Sequence, residues 1–197
     1  MNKFFSTGFI IFVVIICFFG CSGVGMYNSM VNKQEAATTA FADVQATYQR
    51  RADLLPNLTK VVKAYAKHES ETFKAVAEAR SKANSITIDP SKATPEQLKA
   101  YANAQGDLTQ ALGKLMAISE NYPELKANEN FKDLQIQLEG TENRINYARQ
   151  KYNEKVQSYN QSVRSFPNVI FAGVFGFEKM NKFEADESAQ KAPSLDI

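Results

Sequence analysis

Residues 94–119 read TPEQLKAYANAQGDLTQALGKLMAIS, and this stretch decides the fold class. Thr94 and Gln97 have the spacing of a capping box, with Pro95 at the first helical position. After them, residues suited to burial recur at alternating spacings of three and four, which is typical of a helix packed against other helices. They are Leu98, Tyr101, Gln105, Leu108, Leu112, Leu115 and Ser119. The stretch therefore predicts one long amphipathic helix that ends near Tyr122.

The same spacing predicts three further helices. One covers residues 27–52, the next runs from Pro56, after an N-cap at Asp53, to Asn84, and the last covers residues 128–165. Each helix has one apolar stripe, so the four must bury their stripes together. Their comparable lengths predict an antiparallel up-down four-helix bundle over residues 27–166. In the alternative, the first two helices form one kinked rod, half of which has no partner.

Residues 4–26 contain no charge and no proline. As a helix they would span about 35 Å, which is enough for a hydrocarbon core of about 30 Å. We therefore expect residues 1–26 to form a transmembrane anchor, so that the whole chain is all-α. The anchor residues are Phe4, Phe9, Ile10, Ile11, Phe12, Val13, Val14, Ile15, Ile16, Phe18, Phe19 and Met26.

A lipoprotein signal peptide is the competing interpretation of this segment. Lys3 provides a charged start, and Gly20-Cys21 resembles the end of a lipobox, at which Cys21 would be cleaved and acylated. Phe18 is larger than the residue usual at its position, and the uncharged stretch continues past the cysteine. Both features favour a spanning helix. The positive charge of Lys3 favours an amino terminus in the cytoplasm and a bundle outside.

The composition excludes several classes of function. With 23 Lys and Arg against 21 Asp and Glu, the net charge of +2 creates no field that would attract nucleic acid. Both cysteines, Cys17 and Cys21, lie in the predicted anchor. His68 is the only histidine, and Thr72 stands where a zinc-protease helix needs its second one. We expect no cofactor, no metal site, no nucleic-acid partner and no enzymatic activity.

Residues 167–183 form a Phe- and Gly-rich segment after the last long helix. In one interpretation, this segment is a flap folded over the end of the bundle. In the other, it lies beside the bilayer, because four helices of alternating direction bring the chain back to the end at which it left the membrane. The candidate contacts with the membrane or with a partner are Phe166, Phe171, Phe175, Phe177 and Phe183. Residues 184–197 are polar and are predicted to be disordered.

Several blocks of the chain occur together in one known family. They are YNSMV at 27–31, YQRRADLLPNL at 48–58, KAYAKHE at 63–69, YPELKAN at 122–128, LEGTENRI at 138–145, and the pairs Tyr152-Asn153 and Tyr159-Asn160. In their order, these blocks resemble the LemA family of bacterial membrane proteins. The resemblance implies a single membrane helix followed by a helical bundle. A relative in magnetic bacteria takes part in forming magnetosome membranes, which implies a role in organising a membrane or its proteins.

These observations predict a non-enzymatic scaffold or adaptor in the bacterial envelope, anchored in the cell membrane by a single pass. Its partners would be membrane lipid and envelope proteins. Two alternatives stay open. The chain could be a lipoprotein acylated at Cys21, or a sensor whose small ligand enters between the helices. The sensor requires a polar-lined cavity larger than one or two water molecules.

Overall fold

The computed structural model describes the backbone of residues 2–184 and the side chains of residues 23–184. The described chain is helical and has no strand, so the all-α prediction is confirmed. It contains α1 (Asn2–Tyr65), α2 (Ser70–Ser85), α3 (Pro95–Ala117), a short 3-10 helix (Ile118–Asn121), α4 (Pro123–Ala127), α5 (Glu129–Arg164) and α6 (Asn168–Phe175).

The capping box predicted at the start of α3 is confirmed, and a side chain also caps the start of α5. The Thr94 hydroxyl accepts a hydrogen bond from the Gln97 amide, and the Gln97 side chain accepts one from the Thr94 amide. Asn128 caps α5 by accepting a hydrogen bond from the Phe131 amide at 3.1 Å. In both helices, the side chain satisfies an amide that has no partner within the first turn.

The predicted break at residues 53–56 is wrong. α1 continues through Pro56, and the chain turns only at residues 66–69. An interior proline costs a helix about 3 kcal/mol. Leu55 and Leu58, on either side of it, are both buried. Each contributes about 1.5–3 kcal/mol by leaving water, so packing offsets the cost of the proline.

The four long helices alternate in direction. α1 packs most extensively against α5 and is antiparallel to it, because Tyr65 contacts Asn128 at one end while Asp43 pairs with Lys151 further along. α2 and α3 form a hairpin. α3 runs parallel to α1. Tyr48 contacts Tyr101, and Arg51, about one turn later on α1, contacts Gln105, about one turn later on α3.

Two apolar clusters fill the interior. The first surrounds Phe41, whose ring centroid lies 5.2 Å from that of Tyr152 on α5. The second surrounds Leu58 and includes Leu112 and Phe131. The predicted stripe of α3 is buried along its whole length.

The predicted anchor lies mostly outside the residues whose side chains are described. Of the anchor residues named above, Met26 alone has a described side chain, and it is partly buried. Among residues 23–184, whose side chains are described, no helix has the length and hydropathy needed to cross a bilayer.

Candidate functional site

A layer of polar side chains separates the two apolar clusters. Its centre is Arg51 of α1, whose side chain is 1% exposed. Its Nη1 donates to Oγ1 of Thr109 at 2.7 Å and to Oε1 of Glu142 at 2.6 Å. Its Nη2 donates to the side-chain and backbone oxygens of Gln105, at 2.6 and 3.1 Å. One guanidinium thus joins α1, α3 and α5.

The pairing keeps a charge in the interior at tolerable cost. A buried guanidinium without partners would be strongly unfavourable, and both terminal nitrogens of Arg51 are satisfied. Its Nε is buried and has no hydrogen-bond partner among the described residues. The Tyr48 ring centroid lies 5.4 Å from Cζ, which adds a cation–π contact. Glu142 is 38% exposed and therefore keeps part of its hydration.

Buried tyrosines lie beside the polar layer. The rings of Tyr48 and Tyr101 meet edge to face, with centroids 5.4 Å apart. Burial raises the pKa of Tyr48, although the charges of Arg149 and Arg51 oppose the shift. Burial also raises the pKa of Tyr101 above its ordinary value. Burial thus favours the neutral form of both hydroxyls.

After α6, residues 177–184 form a strap, a segment without regular secondary structure that runs antiparallel to α5. Two asparagines hold it. The Asn153 amide donates to the Phe183 carbonyl at 2.8 Å and accepts from the Phe183 amide at 2.9 Å. Asn160 holds Met180 in the same way, at 2.8 and 3.0 Å. The strap is therefore fixed at two points along α5.

Two tyrosines support these asparagines. The Tyr152 hydroxyl donates to the Asn181 carbonyl at 2.9 Å, and the Tyr159 hydroxyl donates to the Glu178 carbonyl at 2.8 Å. The Tyr-Asn pairs at 152–153 and 159–160 are thus one clamp repeated after seven residues, which is two helical turns. Because each clamp uses backbone atoms of the strap, it depends little on the strap's side chains.

A groove of about 840 Å³ opens beside the polar layer. α1 contributes Tyr48 and Arg51 to its lining, α3 contributes Ala102 and Gly106, and α5 contributes Asn146 and Arg149. The strap forms another part of the wall through Lys182, Phe183 and Glu184. The groove has the polar lining and the size that the ligand-sensor hypothesis requires.

An apolar patch covers one end of the bundle. At this end, α6 lies beside residues 23–27 of α1. Phe171 lies against Gly23, and Phe175 packs on Tyr27 with ring centroids 5.0 Å apart. The patch consists of the exposed residues Val24, Tyr27, Phe166, Val169, Ile170, Val174 and Phe175. Such a set of exposed apolar side chains is typical of a surface that contacts a partner or a membrane.

The five phenylalanines predicted to contact the membrane or a partner differ in their exposure to solvent. Phe166, at 81% exposure, and Phe175 belong to the patch, whereas Phe171 and Phe177 are partly buried. The prediction for Phe183 is wrong, because its side chain is 5% exposed and stacks on Phe41 in the first cluster. The predicted lipidation site, Cys21, lies outside the residues whose side chains are described.

Sequence reasoning missed Arg51 and the Tyr-Asn clamps. All of the hydrogen-bond partners of Arg51 lie on other helices. A signal was available, because Tyr48, Arg51 and Leu55 continue the three-four spacing of the buried stripe. The repeat of Tyr-Asn after seven residues was the corresponding signal for the clamps.

No group of three or more His, Cys, Asp or Glu residues within the described part of the chain is arranged to hold a metal ion. His68 is exposed in the turn between α1 and α2.

Known proteins are similar to this chain over most of its length. Magnetosome protein MamQ of Magnetospirillum gryphiswaldense is 28% identical over 178 residues, which are 80% of this chain and 64% of that protein. Magnetosome protein MamQ 1 of Paramagnetospirillum magneticum is 26% identical over 179 residues, which are 80% of this chain and 64% of that protein. Protein LemA of Metamycoplasma hominis is 28% identical over 153 residues, with coverage of 78% and 65%. The chain thus spans slightly less than two thirds of the length of these relatives.

The model of the LemA family matches residues 40–196, which include the polar layer, the groove, the clamps and α6. The chain therefore belongs to the LemA family.

Proposed function

We propose that this protein is a non-enzymatic helical bundle that is anchored in the bacterial cell membrane and organises the membrane or its proteins. The observation that carries the proposal is the position of the apolar patch. The patch adjoins residues 23–27 of α1, where the apolar stretch of residues 4–26 meets the bundle. A bilayer that holds the stretch would therefore lie next to the patch.

The composition of the patch supports a contact with lipid. Residues 166–177 contain no charged side chain, and several of their large apolar groups face solvent. Moving such groups out of water contributes about 25 cal/mol per Å² of apolar surface. A second membrane contact beside a single anchor would also restrict the tilt of the bundle, which a scaffold needs in order to present a defined face.

The names of the relatives support the same role. The similar proteins from two magnetic bacteria are both named as magnetosome proteins. Their matched regions cover most of this chain, and proteins named after an organelle are consistent with the proposed role.

The contact can be tested with single tryptophans, because the protein has none of its own. Phe166→Trp and Phe175→Trp place the probe in the patch, and Tyr147→Trp places it at an exposed site on α5 as a control. The full chain is reconstituted in vesicles that contain lipids brominated near the headgroup. We expect quenching at 166 and 175 and none at 147. Unquenched fluorescence at both patch positions would contradict the proposal.

The mode of anchoring needs a separate measurement. We propose an uncleaved spanning helix, because the uncharged stretch continues past Cys21 to Met26. The intact mass of the protein purified from membranes should then be that of the whole 22.0 kDa chain. A mass for a chain that begins at Cys21 and carries acyl groups would show the lipoprotein route.

The side of the membrane is also open to experiment. The charge of Lys3 favours a bundle outside the cytoplasm. Protease added to intact spheroplasts should then digest the bundle, whereas protection until lysis would place it inside. Crosslinking in intact cells followed by mass spectrometry should recover reproducible neighbours in the envelope, which an adaptor requires.

A second candidate function is ligand sensing, and the groove is the observation that favours it. The groove lies between the helices, as that hypothesis requires, and is wide enough for a molecule much larger than water. A sensor and a scaffold are compatible, because a ligand held between α3 and α5 could alter the face that the bundle presents.

A further inference from the structure

We infer that the groove binds a small organic anion through a carboxylate or phosphate group, and that Arg149 is its principal contact. The inference deepens the ligand-sensing candidate and rests on it. It does not depend on the membrane contact of the apolar patch.

Arg149 is held in place before any ligand arrives. Its Cζ lies 5.0 Å from the ring centroid of Phe183, and its Nη2 donates to the Glu184 carbonyl at 3.2 Å. The Phe183 ring stacks in turn on Phe41, with centroids 6.0 Å apart and planes 10° apart. A guanidinium fixed by stacking loses little freedom on binding, and its planar fork matches the oxygens of carboxylates and phosphates.

The groove carries more positive than negative charge. Arg51 is paired with Glu142, and Lys82 is paired with Asp107 at 2.7 Å. By contrast, the described partners of Arg149 and Lys182 are uncharged: a backbone carbonyl and the side-chain oxygen of Gln157. Beyond the two ion pairs, Arg149 and Lys182 add two positive charges to the lining, against the one carboxylate of Glu184. This excess attracts an anion.

The shape and the remaining polar groups suit an organic molecule. Gly106 lies on the α3 wall, and a Cβ built there would meet no atom within 4 Å, so the space in front of it is open. Asn103, Gln110 and Asn146 add amide groups, and Leu98 and Ile145 add apolar surface. A ligand could therefore place its anionic group at Arg149 and its body against α3.

The position of the groove favours a soluble anion over a lipid headgroup. Tyr48, at the groove, is 22 residues along α1 from Met26 at the end of the predicted anchor. At the helical rise this separation is about 33 Å. A headgroup at the membrane surface does not reach that far along an upright bundle.

The test is calorimetric titration of the full chain in neutral maltoside micelles. Pyrophosphate tests for binding through a phosphate group, and citrate tests for binding through a carboxylate. Spermidine is the cationic control. We expect saturable binding of at least one of the two anions and none of spermidine. The anion that binds more tightly identifies the preferred group.

Two variants locate the site, and one controls for charge. Arg149→Gln should weaken anion binding about tenfold or more, because it removes a charge-assisted fork. Gly106→Leu should abolish binding by filling the open space, while it improves helix propensity. Arg144→Gln makes the same charge change at an exposed site on α5 outside the groove, and it should leave affinity within about twofold.

Three results would overturn the inference. The first is the absence of saturable binding by both anions. The second is an equal loss of affinity in Arg144→Gln and Arg149→Gln, which would indicate attraction by the overall surface charge. The third is binding that appears only after residues 185–197 are removed, which would make the acidic end of the chain the occupant. None of these results bears on quenching at the patch, so the two proposals fail separately.

Discussion

Arg51 on α1 and Glu142 on α5 form an ion pair of 2.6 Å between residues that are 91 positions apart in the chain. The pair lies between two apolar clusters, whose contacts are less directional than hydrogen bonds. A polar group that finds its partners in only one alignment fixes the register of neighbouring helices. We interpret the polar layer as the element that sets the register of α1, α3 and α5.

Replacing Arg51 should be much more harmful than replacing its neighbour. Arg51→Ala leaves a cavity in place of a large buried side chain and leaves the Gln105 side chain without its donor, so we expect a loss of about 2–5 kcal/mol in the free energy of unfolding. Arg50→Ala, at an exposed position, should stay within about 0.5 kcal/mol. Chemical unfolding of the detergent-solubilised chain, followed by circular dichroism, measures both. Equal losses would contradict the role of the layer.

Removing one clamp should release one half of the strap. Asn153→Ala removes the acceptor of the Phe183 amide, whereas Asn160 continues to hold the Met180 amide. Hydrogen exchange should therefore accelerate at Phe183 and change little at Met180. Asn160→Ala should give the reverse pattern. If both amides accelerated equally in either variant, the strap would be a single unit rather than a segment held at two points.

Helix periodicity made most of the fold predictable. The stripe from Leu98 to Leu115 and the capping box at Thr94 depend on residues within a few positions of each other, so local rules apply to them. The turn between the first two helices was misplaced, because the cost of Pro56 is local whereas the packing that offsets it comes from other helices. A single sequence shows the cost of the proline but not the packing that offsets it.

The candidate site was less predictable for a related reason. Arg51 joins residues from three helices, and its sequence neighbourhood, Arg50-Arg51-Ala52-Asp53, is equally typical of an exposed helix end. In the sequence, Phe183 follows an apolar segment and looks like part of it. Its burial depends on the Asn153 clamp, which becomes visible only when the strap is placed along α5.

Alkaline pH should destabilise the fold through the buried tyrosines. Burial raises the pKa of Tyr152 to about 12, from about 10 in the unfolded chain. Below pH 10 the hydroxyl is protonated in both the folded and the unfolded state, and the full contribution of Tyr152 to the free energy of unfolding is retained. Between about pH 10 and 12 the unfolded state loses its proton first, so stability falls as pH rises.

Tyr152→Phe isolates this contribution. It should cost about 1 kcal/mol at pH 7, because the hydrogen bond to the Asn181 carbonyl is lost. It should also make the decline above pH 10 less steep than in the natural protein. Tyr147→Phe, at a side chain that is 69% exposed, is the matched control and should leave the slope unchanged. Thermal unfolding at a series of pH values measures both variants, and parallel slopes for all three proteins would refute the assignment.

Gly23 should be required for the seating of α6 on α1. A Cβ at this position would lie 2.9 Å from Cε1 of Phe171, so Gly23→Leu must displace that ring or the helix that carries it. Overpacking of this kind costs about 1–3 kcal/mol, although Leu is a better helix former than Gly. Gly25→Leu has the same propensity gain and meets no atom within 4 Å, so it should not destabilise the protein. Hydrogen exchange of residues 168–175 should accelerate in Gly23→Leu alone, and unchanged protection would show that α6 does not depend on this contact.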